Sequence, residues 1–122
     1  MKVVSTSENL EVLYEDNHLI AINKRVGDIV QGDKTGDVPL SDVVKEYIAK
    51  KYNKPGAVFL GVVHRLDRPT TGVVVFARTS KALERLSAMF KNRETQKTYW
   101  AIVGRMPEDA MGELHHFLTR NP

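Results

Sequence analysis

Apolar positions along this chain fall in short clusters whose spacing changes from segment to segment. Glu11-Val12-Leu13-Tyr14-Glu15 and His18-Leu19-Ile20-Ala21-Ile22-Asn23 are two apolar runs joined through Asp16-Asn17, a good two-residue turn, and they predict a β-hairpin. Lys24-Arg25-Val26-Gly27 turns the chain toward a further short extended piece over residues 28–31. Residues 32–37 are polar and glycine-rich and read as a surface loop; the Walker spacing of a phosphate-cradling loop is absent. Pro39 suits the first turn of a helix, and Leu40, Val43, Val44, Tyr47 and Ile48 recur at helical spacing. Asp42, Lys45, Glu46 and Lys50 fill its other face, so this helix packs on a sheet.

After a polar loop over residues 51–56, residues 57–60 lead on through a short strand or a buried connection. Val73-Val74-Val75-Phe76-Ala77 reads as a buried strand. Thr79 or Ser80 can cap a second helix running to about Asn92, with Ala82, Leu83, Leu86, Met89 and Phe90 as its apolar stripe. Residues 97–104 and 112–119 read as two more strands, separated by a turn at Pro107-Glu108-Asp109. The order β-β-α-β-α-β-β predicts an α+β fold, a mostly antiparallel sheet with two packed helices. So few strands leave the last one as an open edge, and the chain is expected to be the N-terminal part of something longer. Residues 1–10 are set apart as an N-terminal tail.

Composition narrows the classes. With 122 residues, 42% hydrophobic and 27% charged, the chain is an ordinary globular domain or a fragment of one. It has no cysteine, and its four histidines show no ligand spacing, so no metal site is expected. The first eight residues lack the apolar core of a signal peptide, and no apolar run approaches a membrane span, so the expected location is the cytoplasm. Charge is uneven. Residues 1–50 carry nine acidic and six basic side chains, residues 51–122 six acidic and twelve basic. A basic half hints at a polyanionic partner such as RNA, although many soluble domains are as asymmetric. On the second helix, Lys81, Arg85, Lys91 and Arg93 are either a solvated face or phosphate contacts.

One stretch concentrates the chemistry: Val63-His64-Arg65-Leu66-Asp67-Arg68-Pro69-Thr70-Thr71-Gly72, directly before the buried strand. It puts the Asp67 carboxylate between two guanidinium groups, Arg65 and Arg68. Pro69, the two threonines and Gly72 supply turn chemistry, so Asp67 sits on irregular backbone at a strand entrance. Flanking cations favour an ionised carboxylate, suited to a nucleophile or an electrostatic stabiliser. The same residues also fit a structural ion pair at a sheet edge. In the strand over 97–104, Tyr99 is either a packing residue, the common role of strand aromatics, or a ring offered to a ligand.

His64-Arg65-Leu66-Asp67-Arg68-Pro69-Thr70-Thr71-Gly72 closely resembles the H-R-L-D-R-x-[TS]-[ST]-G motif of the RluA-type RNA pseudouridine synthases. Leu13-Tyr14-Glu15-Asp16 and Ile22-Asn23-Lys24 resemble that family's opening hairpin, and Lys97-Thr98-Tyr99 its K-x-Y strand. The resemblance runs from about residue 11 onward. It implies an incomplete catalytic domain over residues 11–122, the N-terminal half of a pseudouridine synthase-like core. It also implies an isomerase that converts uridine to pseudouridine in structured rRNA or tRNA, without a metal or an organic cofactor. By the same resemblance Asp67 is the catalytic nucleophile, Tyr99 stacks on the target base, and Arg65 holds the flipped-out state. Arg68 serves phosphate contact or the fold, and His64 satisfies backbone groups near the turn. Whether Asp67 attacks C1′ or the uracil ring stays open. Two departures stand out. Asn23-Lys24-Arg25-Val26-Gly27 replaces the usual Asn-Lys-Pro-x-Gly, and the family's later motif rich in Arg, His and Gln is absent. A fragment without that motif is expected to be inactive alone. A non-catalytic RNA-binding module of the same fold is the alternative. A hydrolase built on Asp67 lacks a nearby general base.

Overall fold

The computed structural model describes residues 4–121. Strands β1 (Val12–Glu15) and β2 (Leu19–Lys24) form the expected hairpin, with helix α1 over Leu40–Lys51. A short β3 (Gly61–Val62), a longer β4 (Gly72–Ala77) and helix α2 (Ser80–Lys91) follow. The strands form one antiparallel sheet in the order β1-β2-β4-β3. Its centre is the β2–β4 pair, in register from Leu19↔Ala77 to Lys24↔Gly72.

That register sets the core. Ile20 faces Phe76 and Ile22 faces Val74 across the ladder, so all four point to one side, and all four are fully buried. Leu40, Val44 and Ile48, one helical turn apart, lie against them and close the core with Val30. Burial of each such side chain contributes about 1.5–3 kcal/mol. The helix begins at Pro39, which occupies the cap position and not the first turn. Pro39 offers no capping side chain, so the helix's free N–H groups turn elsewhere: Leu40 N–H donates to Ile29 O (2.6 Å) and Ser41 N–H to Val30 O (3.1 Å). Residues 28–31 are therefore connecting chain, buried at 28–30, that caps α1, and not the extended strand-like piece the sequence predicts.

The far end of the hairpin is clamped to α1 by charge. The Glu15 carboxylate accepts hydrogen bonds from Tyr47 Oη (2.8 Å), Lys51 Nζ (3.0 Å) and the Tyr52 hydroxyl. Arg78, at the end of β4, lies 4.8 Å over the Tyr52 ring and 3.8 Å from Glu15. Residues 4–10, set apart in sequence as a tail, are also tied down. Ser5 donates to the buried Asp28 carboxylate through both its N–H (2.9 Å) and its hydroxyl (2.6 Å). Helix α2 is more loosely attached. Thr79 caps it by accepting from Ala82 N–H (3.1 Å), but among the residues of α2 only Ala82 is fully buried.

The strands predicted over 97–104 and 112–119 are not formed. Beyond residue 91 the described residues contain neither helix nor strand, and Trp100, Ile102 and Phe117 are almost wholly exposed. The reason is pairing. A β-prone segment becomes a strand only when another strand accepts its N–H and C=O groups, and none of the four strands described here does so.

Candidate active site

Asp67 lies in the connection between β3 and β4, on the turn closed by Thr70 N–H donating to Asp67 O (2.9 Å). Pro69 lies inside this turn, and Gly72, which opens β4, has φ +132°, a value that L side chains rarely adopt. The turn thus leaves the sheet abruptly and holds Asp67 and Arg65 in solvent. Both side chains line a polar cavity of about 460 Å³, whose other wall is residues 29–33. Neither makes a hydrogen bond or an ion pair among the described residues.

Asp67 shares this cavity lining with both arginines, Arg65 and Arg68. The charge of the Arg68 side chain is engaged by the glycine-rich loop. The side chain donates to Gly27 O (3.1 Å) and pairs with Asp37 (3.0 Å) and Asp33 (3.7 Å). Two carboxylates of that loop hold the Arg68 guanidinium. Its observed contacts are those of a residue that fastens the 27–37 loop to the Asp67 turn.

His64 meets its structural expectation. Strand β3 reaches no further than Val62, which leaves the Val75 N–H of β4 without a strand partner; His64 Nε2 accepts it at 3.0 Å. The ring also stacks on Phe90 of α2, centroids 4.6 Å apart. Accepting at Nε2 requires the neutral imidazole protonated at Nδ1. Burial, and then the charge of Lys97, push its pKa below the usual histidine value.

Tyr99 lines a second and larger groove of about 810 Å³, on the sheet face opposite α1. Val73, Val75, Thr71, His64, Phe90 and Trp100 share its lining. Tyr99 is 61% exposed and therefore accessible to a ligand. The two cavities meet at Leu66, which lines both, while Asp67 borders only the first and Tyr99 only the second. Arg65, Asp67 and Arg68 are thus brought together in one lining, and Tyr99 is not among them; it lines the neighbouring groove. Among the described residues no group of three or more His, Cys, Asp or Glu side chains is placed to hold a metal ion. No helix is long and apolar enough to cross a membrane.

One residue at the site carries no assignment in the sequence reading. Lys24 ends β2 with its side chain 1% exposed, beneath the Asp67 turn. The signal for it was available: a period of two that buries Ile20 and Ile22 places Lys24 on the same face.

Comparison with known proteins adds an independent line. A family model described as RNA pseudouridylate synthase matches residues 18–120. An uncharacterized RNA pseudouridine synthase of Synechocystis is 33% identical over the whole chain, which spans 38% of that relative. tRNA pseudouridine synthase C of Pectobacterium carotovorum is 37% identical over 90% of the chain and 28% of its own length. The solved structure of human RNA pseudouridylate synthase domain containing 4 superposes with a TM-score of 0.58 at 28% identity, covering 69% of this chain and 30% of that one. The chain therefore spans only about a third of the length of the relatives it matches.

Proposed function

This chain belongs to the RNA pseudouridylate synthase family, and from that premise we propose that the protein isomerises uridine to pseudouridine in RNA with Asp67 as its nucleophile. The observation that carries the reading is the Asp67 carboxylate, exposed and free of side-chain partners among the described residues, in a polar cavity of about 460 Å³ beside Arg65. In a structural ion pair the same carboxylate would be engaged.

The reaction breaks the N1–C1′ bond of uridine, turns the detached uracil, and joins C5 to C1′. The C5 hydrogen leaves as a proton and N1 gains one, so the product is an isomer and no redox partner is needed. A carboxylate can attack C1′, or add to the uracil ring, and leave again in either case. The target base has to leave its stack to be reached. Tyr99, exposed in the neighbouring groove, is the platform we assign to it, and Arg65 in the Asp67 cavity is the side chain we assign to the space the base vacates. Arg68 serves the same substrate indirectly, by holding the loop that walls the cavity. The substrate class is structured RNA: tRNA, as in the name of the Pectobacterium relative, or rRNA.

Lys81, Arg85, Lys91 and Arg93 on and just after α2 are exposed and make no ion pair among the described residues, which supports a polyanionic partner. We further propose that the chain is the nucleophile-bearing part of a longer core and is inactive alone. The test is release of tritium from RNA labelled at uridine C5. The full-length protein is expected to release it and the 122-residue chain is not. RNA binding by the full-length protein without release would identify a non-catalytic binder and overturn the assignment.

A further inference from the structure

Away from the Asp67 and Tyr99 cavities, a third cleft of about 410 Å³ opens where the hairpin turn meets the first turns of α2. Its floor is apolar, made by Leu19, the buried Ala82 and Leu86. Its rim is His18, Lys81 and Arg85, all exposed, and none of these side chains makes a hydrogen bond or ion pair among the described residues. Lys81 and Arg85 stand four positions apart and so share one side of the helix. Asp16 completes the lining, but its carboxylate is engaged in its own turn. It accepts from Tyr14 Oη, His18 N–H and Leu19 N–H, each at 2.7 Å. The lining therefore offers two uncommitted cations, one imidazole and an apolar floor.

The cleft is not an extension of the Asp67 site. In the β2–β4 ladder Lys24↔Gly72 stands at the Asp67 end and Leu19↔Ala77 at the other, five residues along β4, or about 17 Å. Helix α2 bridges the two ends. It starts beside Leu19, passes β3 where Leu83 packs against Gly61, and brings Phe90 onto His64. Lys81 and Arg85 are followed along it by Lys91 and then Arg93, and Glu84 is the helix's only acidic residue. A polyanion on this surface would run from the cleft toward the Tyr99 groove, which Phe90 also lines. A volume of about 410 Å³ sits low in the range of about 300–1,000 Å³ for small-molecule sites, with room for one base and its sugar but not for a folded segment.

We propose that this cleft is a second RNA-docking site, which takes one unpaired nucleotide of the substrate RNA other than the target uridine. The base lies on the floor of Leu19 and Leu86 beside the His18 ring, and Lys81 and Arg85 hold the phosphates that flank it. The inference rests on the reading that the protein acts on RNA.

The experiment uses the full-length protein with unmodified tRNA and rRNA transcripts tritiated at uridine C5, and measures Kd, its salt dependence, KM and kcat. The variants are Lys81→Gln/Arg85→Gln and His18→Ala. Lys45→Gln/Lys54→Gln removes the same charge from exposed positions outside the cleft and serves as the control. In the cleft double variant Kd and KM are expected to rise at least about tenfold, with kcat near wild type at saturating RNA. Its slope of log affinity against log salt is expected to flatten by about 1.4, two phosphate contacts at about 0.7 each. His18→Ala is expected to weaken binding at least about fivefold through lost stacking. The control is expected to bind and turn over as wild type does. Equal losses in the cleft and control double variants overturn the inference, because net charge alone then accounts for them. Wild-type RNA affinity in both cleft variants also overturns it, and leaves the cleft to an acidic protein partner. In either case continued turnover by the wild type keeps the RNA reading standing. A wild type that neither binds nor turns over these transcripts overturns that reading and the inference with it.

Discussion

At the scale of the residue, His64 shows how a motif histidine beside the proposed nucleophile serves the fold. Its neutral ring takes the Val75 N–H that β3 leaves unpaired, and burial holds its pKa below 6.5 in the folded protein. The unfolded chain therefore binds a proton first as pH falls. The His64 contribution to stability is complete above pH 6.5, and it is lost as pH drops from there through the depressed folded value. Glutamine offers a carbonyl acceptor that does not titrate. Thermal melts between pH 5 and pH 7.5 are thus expected to show a shallower fall of Tm toward acid in His64→Gln than in wild type, and parallel curves would contradict this account of the ring. Motif residues were legible in the sequence as types, and their partners were not. Local order put Arg65 and Arg68 beside Asp67, yet Arg68 is held by Asp33 and Asp37, which lie more than thirty positions upstream. Lys24 is the converse, a residue that strand periodicity places indoors but whose acceptors come from forty-four and forty-six positions away.

At the scale of the element, what depends on nearby sequence was readable. The β1–β2 hairpin, α1, β4 and the Thr79 cap of α2 follow from a turn dipeptide, helical spacing, a β-branched run and a hydroxyl in the cap position. What depends on a distant partner was not. Residues 97–104 have the composition of a strand but no strand to pair with among the described residues, and β3 stops after two residues, where His64 takes over the pairing of Val75 N–H. Gly72 opens β4. Its φ of +132° suits glycine alone, and a Cβ there would also meet Leu66 Cδ1 at 3.9 Å. Gly72→Ala is expected to destabilise the protein by about 1–3 kcal/mol in urea unfolding, through backbone strain and not through a clash. A change within a few tenths of a kcal/mol would mean that the turn tolerates another conformation.

At the scale of the molecule, a well-packed half carries an exposed half. The core of α1 against the sheet is closed, whereas Tyr99, Trp100, Ile102, Phe117 and Leu118 face solvent. So much apolar surface on β-prone chain is what a sheet awaiting further strands would show. Amides 97–104 are expected to exchange hydrogen at unprotected rates in the 122-residue chain and to be protected in the full-length protein; equal exchange in both would contradict this. The proposed function rests on the carboxylate of Asp67. The most direct measurement is single-turnover conversion of uridine to pseudouridine by the full-length protein, wild type against Asp67→Asn, with RNA affinity measured on the same samples. The account predicts a loss of at least about a thousandfold in rate with affinity close to wild type. Turnover of wild-type magnitude in Asp67→Asn would contradict it.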